Sequence, residues 1–197
     1  MDRRQFFQNA LHKAAKTVIK QSDARVTARA SRWIRPPYAI AELEFLLACT
    51  RCSDCSEACP HGVIFPLAAR LGADVAGTPA LDLLHKGCHL CDDWPCISAC
   101  KTGALQGLPD QETSEVKPPL LAHVQINTAT CLPYIGPECG VCVAACPVPG
   151  ALLLQQERPV IDDSLCAGCA LCREVCIVDG KAIEVVSLHA ARADTTE

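Results

Sequence analysis

Apolar residues along this chain come in short runs, and each run predicts a small element. Val124-Gln125-Ile126, Leu152-Leu153-Leu154, Pro159-Val160-Ile161 and Ile183-Glu184-Val185-Val186 predict short strands. Ala41 to Ala48 predicts a short helix. Phe7, Leu11, Ala14 and Val18 recur at steps of four, three and four, with Asn9, His12, Lys13, Lys16, Lys20 and Gln21 between them. That pattern predicts a basic amphipathic helix over residues 5–21. Residues 107–119 are polar, contain three prolines, and read as a surface loop. Residues 67–87 predict a helix or an irregular insert, and the polar tail over 188–197 is expected to fray.

Between these elements lies an internal repeat that organises the chain. Sixteen cysteines fall into four groups of four: Cys49, Cys52, Cys55, Cys59; Cys88, Cys91, Cys96, Cys100; Cys131, Cys139, Cys142, Cys146; and Cys166, Cys169, Cys172, Cys176. After the last cysteine of each group comes a glycine followed by aliphatics: Gly62-Val63-Ile64, Gly103-Ala104-Leu105, Gly150-Ala151-Leu152 and Gly180-Lys181-Ala182-Ile183. Each repeat therefore reads as a cysteine loop, a short helix through the fourth cysteine, a turn and a short strand.

The spacing selects the chemistry. The first group, with two, two and three intervening residues and Pro60 behind it, has the spacing that holds a [4Fe–4S] cluster in bacterial ferredoxins. Three close thiolates cap one face of the cube, and the fourth points away to ligate the other cluster of a pair. The fourth group repeats this without the proline. Asp92-Asp93-Trp94-Pro95 widens the second gap of the second group, and Leu132 to Glu138 widens the first gap of the third. A zinc site needs four ligands and has no use for a third close cysteine plus a displaced fourth. A disulfide framework is disfavoured because neighbouring thiols sit within one loop rather than across elements. The expectation is four [4Fe–4S] clusters held by all sixteen cysteines.

Charge and composition fit that expectation. Residues 1–35 carry nine Lys/Arg and two Asp, and the remainder carries nine basic and twenty acidic residues. A basic arm thus precedes an acidic body, the polarity of a carrier steered to basic docking surfaces. Only eight of the 197 residues are aromatic, so ligated cofactors must supply part of the cohesion. No apolar run is long enough for a membrane span. Arg3-Arg4 resembles the core of a twin-arginine export signal, but charged residues interrupt the stretch behind it. The expectation is a cytoplasmic protein, with a periplasmic one as the second reading, and with peripheral membrane contact through the 5–21 helix as an option. No dinucleotide fingerprint, phosphate loop or Ser–His–Asp set is present, and no nucleic-acid partner is expected. The chain reads as an electron carrier rather than an enzyme. His61 and His89 follow or enter cysteine loops and read as surface histidines; Trp94 reads as a shield for a cluster.

Ile34-Arg35-Pro36-Pro37-Tyr38, Glu44-Phe45-Leu46 and Cys49-Thr50-Arg51-Cys52 resemble the NapF ferredoxins of periplasmic nitrate reductase systems. Cys88-His89-Leu90-Cys91-Asp92-Asp93-Trp94-Pro95-Cys96 and Cys131-Leu132 through Cys139-Gly140-Val141-Cys142 are more similar to the related NapG and MauM types. The resemblance spans residues 30–187. Lys101 departs from it, standing where the family often has proline.

The resemblance implies an α+β fold of two fused bacterial-ferredoxin-like modules over residues 36–187. The halves are 36–106 and 120–187, joined by the 107–119 loop and preceded by the 1–35 arm. It implies electron transfer with a molybdenum oxidoreductase such as nitrate reductase. Acting as a maturation factor on that enzyme before export, or as a redox-sensing interaction protein, are the other readings. By analogy with four-cluster subunits of molybdenum oxidoreductases, a nested pairing is expected. Cys49, Cys52 and Cys55 then share a cluster with Cys176, and Cys166, Cys169 and Cys172 with Cys59. Cys88, Cys91 and Cys96 share one with Cys146, and Cys131, Cys139 and Cys142 with Cys100. Sequential pairing, group one with two and three with four, is the alternative.

Overall fold

A computed structural model describes residues 22, 24–107 and 118–190. The 5–21 helix, most of the proline-containing loop and the end of the tail lie outside these. The described chain is mixed helix and sheet, built from short pieces. A helical run over residues 24–30 (α1) leads through an extended segment to α2 (Glu42–Ala48). One-turn helices then follow inside the cysteine groups: α3 (Asp54–Glu57), α4 (Pro95–Ser98), α5 (Leu132–Ile135), α6 (Val141–Ala144) and α7 (Leu171–Glu174). The strands are β1 (Ile64–Pro66), β2 (Pro79–Leu81), β3 (Ala122–Ile126), β4 (Leu152–Gln155), β5 (Arg158–Ile161) and β6 (Ile183–Ser187). Among the described residues no helix is long and apolar enough to cross a membrane.

The strands pair in a pattern that occurs twice. In the first half, β1 after the first cysteine group pairs antiparallel with β2 before the second, Phe65 opposite Ala80. In the second half, β4 after the third group pairs with β5 before the fourth, Leu153 opposite Val160. The outer flanks also correspond. Ala39, ahead of the first group, bridges Leu105 after the second. β3, ahead of the third group, pairs with β6 after the fourth, Val124 opposite Val185. Each half is thus closed by the chain on either side of its two cysteine groups. The one-turn helices pack in pairs, α3 on α4 and α6 on α7.

Two features depart from expectation. The 67–87 insert holds a single 3₁₀ turn (Ala69–Leu71) and β2, whose Pro-Ala-Leu sequence gave no strand signal. Pro79 is tolerated as the first residue of β2, where a strand can begin without an N–H to donate to the ladder. Residues 24–35 belong to the body rather than to a separate arm. Ala30 and Trp33 are buried, Ser187 Oγ donates to the Ala30 carbonyl at 3.1 Å, and Leu81 N–H donates to the Ile34 carbonyl at 2.8 Å. The basic side chains there are accommodated at the edge, as with Arg29, which pairs with Asp74 at 2.7 Å.

The main core shows why so few aromatics suffice. Phe45, Val63, Ile64, Leu81, Leu83, Leu105, Leu121 and Ala122 pack together with four cysteines, Cys55, Cys88, Cys96 and Cys169. The sulfur-bearing loops are therefore part of the interior.

Candidate metal centre

Three of the four cysteine loops are coiled by residues in the left-handed region. The residue before the second cysteine is left-handed in three groups: Arg51 at φ 61°, Leu90 at 50° and Gly168 at 70°. The residue two before the third cysteine is left-handed in the same three groups, at Ser53, Trp94 and Ala170, and opens the one-turn helix. Non-glycine residues there cost roughly 1–2 kcal/mol each. Five of these six positions bear that cost, and the repetition points to function rather than accident. Alternating hands turn successive backbone N–H groups toward one concave side, the form of nest that binds anionic iron–sulfur and phosphate groups.

The amides do point at sulfur. The Leu90, Gly168 and Leu171 amides lie two residues beyond Cys88, Cys166 and Cys169 and favour the charged form of those sulfurs. The N–H groups of Ser56, Ile97 and Val143, next to Cys55, Cys96 and Cys142, donate instead to the Ser53, Trp94 and Gly140 carbonyls at 2.9, 2.9 and 3.0 Å and close the one-turn helices. Beyond the glycine turns, Leu105 N–H reaches Cys100 Sγ and Ala182 N–H reaches Cys176 Sγ, both at 3.4 Å.

All sixteen cysteines are free, and they gather into four quartets. Cys49, Cys52 and Cys55 meet Cys100, and the four line a cavity of about 120 Å³ with Arg51 and Lys101 at its rim. Cys88, Cys91 and Cys96 meet Cys59. Cys166, Cys169 and Cys172 meet Cys146. Cys131, Cys139 and Cys142 meet Cys176. The second and fourth of the cysteine groups thus line tighter cavities, of about 20 Å³ each. Among the described residues no three His, Cys, Asp or Glu side chains converge on the shell of a single metal ion. The sulfurs surround a volume instead.

This geometry corrects the nested pairing. Cys176 is not beside Cys49, Cys52 and Cys55, nor Cys59 beside Cys166, Cys169 and Cys172; Cys146 and Cys100 likewise sit with groups four and one. The sequential alternative is the one the fold adopts. The reason is the two hairpins: β1–β2 and β4–β5 return the chain locally, so neighbouring groups face each other across α3–α4 and α6–α7. Local closure also costs less chain entropy than bringing group one to group four.

The quartets have an order in space. First and second share the α3–α4 contact, and third and fourth share α6–α7. Cys88 N–H donates to the Cys169 carbonyl at 2.7 Å, joining the second group to the fourth. Along the molecule the order is one, two, four, three, with the first and third at the ends. Cys52 of the first is the exposed member of the set.

Burial makes these thiols reluctant to ionise without a positive guest. Removal from water, then the charges of neighbouring cysteines, pushes Cys55 up to about 11. Burial pushes Cys88 up to about 11, and Cys96, Cys169 and Cys172 up to about 12. Cys100 is also desolvated, but the amides of Leu105, Thr102 and Ala104 and the Thr102 hydroxyl outweigh this and lower it. Converging soft donors, amides directed at them and mutual repulsion of their thiolates fit a multiply charged iron–sulfur cluster better than a disulfide or a single ion.

Two contacts around the second quartet were not legible in the sequence. His61 and His89, from different groups, stack with ring centroids 3.5 Å apart and 7° between planes. Trp94 covers the same cavity, with Tyr38 edge-on to it at 5.1 Å. The nearness of each histidine to a cysteine was visible; their meeting required the group-one to group-two pairing.

The chain is similar to the methylamine utilization ferredoxin-type protein MauM of Methylophilus methylotrophus, 37% identical over 199 residues, covering 94% of this chain and 86% of the relative. It is 34% identical to the ferredoxin-type protein NapG of Escherichia coli K12 over 182 residues, covering 85% and 77%. Similarity to the ferredoxin-type protein NapF of the same organism is lower, 28% over 166 residues, covering 82% and 90%. No family model and no solved structure matches the chain.

Proposed function

Because this chain belongs to the ferredoxin-type protein family of MauM and NapG, an iron–sulfur electron-transfer family, we propose that its four quartets hold one [4Fe–4S] cluster each and relay single electrons between partner proteins. The observation that carries this reading is the exchange of fourth cysteines: Cys100 and Cys59 cross between groups one and two, Cys176 and Cys146 between three and four. That exchange is how two cubes share one small ferredoxin module.

When bound, each cluster accepts and returns one electron. The chain's own groups do the rest. The cysteines fix the clusters, and the amides of Leu90, Gly168 and Leu171 stabilise the negative charge on sulfur. Core residues such as Phe45 and Leu83 exclude water, and Trp94 with Tyr38 covers the second quartet.

Isolation without oxygen, followed by iron and sulfide counting, tests the reading. About sixteen of each per chain is expected, with [4Fe–4S] electron paramagnetic resonance (EPR) signals after reduction. Zinc, or far fewer irons, overturns it.

The partner we propose is a molybdenum oxidoreductase of the nitrate reductase kind, supported by relatives named NapG and NapF. The higher identity to MauM favours a second reading, service in methylamine utilization. Affinity capture from cells grown with nitrate or with methylamine separates the two. The basic surplus before residue 36 also suits docking to an immature enzyme. Deleting residues 1–21 separates relay from assembly: retained electron transfer with failed partner maturation supports the assembly role.

A further inference from the structure

The second and fourth cysteine groups meet along a seam, built by the loop ahead of Cys88 and the stretch from Cys169 to Glu174. Four contacts define it. Cys88 N–H donates to the Cys169 carbonyl at 2.7 Å. Gly87 N–H donates to Glu174 Oε2 at 2.7 Å. Arg173 Nε donates to the Leu84 carbonyl at 3.0 Å. Gly87 lies flat against α7: a Cβ there would stand 2.7 Å from the Leu171 backbone and side chain. Gly87 is not in the left-handed region, so only the closeness of the two backbones demands glycine.

Both cysteines joined by this hydrogen bond are buried, Cys88 at 7% and Cys169 at 8% exposure. One belongs to the second quartet and the other to the fourth, the inner members of the row. Electronic coupling decays steeply with distance and is carried better through covalent and short hydrogen bonds than through gaps. The path from Cys88 through its N–H to the Cys169 carbonyl is such a route.

Resting on the four-cluster reading, we propose that the Cys88–Cys169 peptide contact is where an electron crosses from one module to the other, and that Gly87 and Glu174 are the positioning residues that hold it closed. One electron leaves one module and reduces the other; no bond breaks and no proton moves. Glu174 does this by accepting from the amide next to Cys88, and Gly87 by letting α7 approach.

The test uses the full chain, loaded and fully reduced, with EPR reading magnetic interaction between clusters. The parent is expected to show interaction across all four. Gly87→Ala and Glu174→Ala are expected to lose the part between modules, leaving the pattern of two independent pairs at unchanged iron content. Glu174→Gln keeps an acceptor oxygen and should restore the parental pattern. Hydrogen exchange at the Cys88 amide, slow in the parent, should lose its protection in the two disrupting variants. If Gly87→Ala fails to load iron, the Glu174 pair carries the test. A four-cluster pattern unchanged in Glu174→Ala overturns the proposal while leaving the four-cluster reading intact. A parent chain that lacks iron overturns both.

Discussion

Arg35 grips Glu42 with two parallel hydrogen bonds, Nε to Oε2 at 2.9 Å and Nη2 to Oε1 at 2.6 Å, and both side chains are almost fully buried. Trp33 Nε1 adds a third bond to the same carboxylate at 3.1 Å. The remaining guanidinium nitrogen donates to Thr78 Oγ1 and the Pro79 carbonyl, and the guanidinium stacks 4.5 Å from the Phe45 ring. One residue thereby ties the extended segment, α2 and β2 together beside the first quartet.

Removing one partner of a buried pair leaves the other charge uncompensated, which costs about 3–5 kcal/mol. Glu42→Ala should destabilise the loaded protein by about that amount in chemical denaturation. Arg35→Lys should also weaken it, because an ammonium cannot reproduce the bidentate geometry. A change below ~1 kcal/mol would show that the pair is replaceable by water.

Substituting a fourth cysteine should damage the neighbouring group's cluster. Cys59→Ser is expected to impair the same cluster as Cys91→Ser, and the double variant should be no worse than either alone in iron content and EPR. Residues acting as one unit are non-additive in this way. Coupling of Cys59→Ser to Cys166 instead would restore the nested pairing.

Two glycines share a left-handed backbone but differ in their surroundings. A Cβ on Gly168 would stand 2.1 Å from the Ala122 carbonyl oxygen, whereas one on Gly103 meets nothing within 4 Å. Gly103→Ala should cost only the left-handed penalty, roughly 1–2 kcal/mol. Gly168→Ala should cost clearly more and expel iron from the Cys166–Cys169–Cys172 quartet, as read by iron analysis and thermal denaturation. Equal effects would refute the close approach to β3.

The raised thiols give opposite pH dependences with and without iron. In the iron-free fold, protonated Cys96, Cys169 and Cys172 are favoured by burial, from the ordinary 9.0 up to about 12. The stability they contribute is fully present below pH 9 and is lost as pH rises toward 12. Cluster uptake requires these thiols to give up protons, so uptake should strengthen with rising pH and acidify a weakly buffered solution near neutrality. A pH-stat during reconstitution measures this; no proton release would show that the thiols were already ionised.

The sixteen ligand candidates, the turn glycines after each group, α2 and four of the strands were legible in the sequence. All of these depend on local rules. Cysteine spacing fixes which sulfurs can share a loop, Gly62, Gly103, Gly150 and Gly180 supply left-handed turns, and short aliphatic runs make short strands. What local rules could not fix was partnership. The fourth cysteine of a group is held one helical turn beyond its triplet whichever group it serves. Only the β1–β2 and β4–β5 hairpins, one of them built on an unremarkable Pro-Ala-Leu, bring group one to two and three to four. The 2.7 Å seam between Cys88 and Cys169, the stacked His61 and His89, and the burial of Ala30 and Trp33 are likewise long-range. They join residues far apart along the chain, and tertiary packing alone decides such contacts.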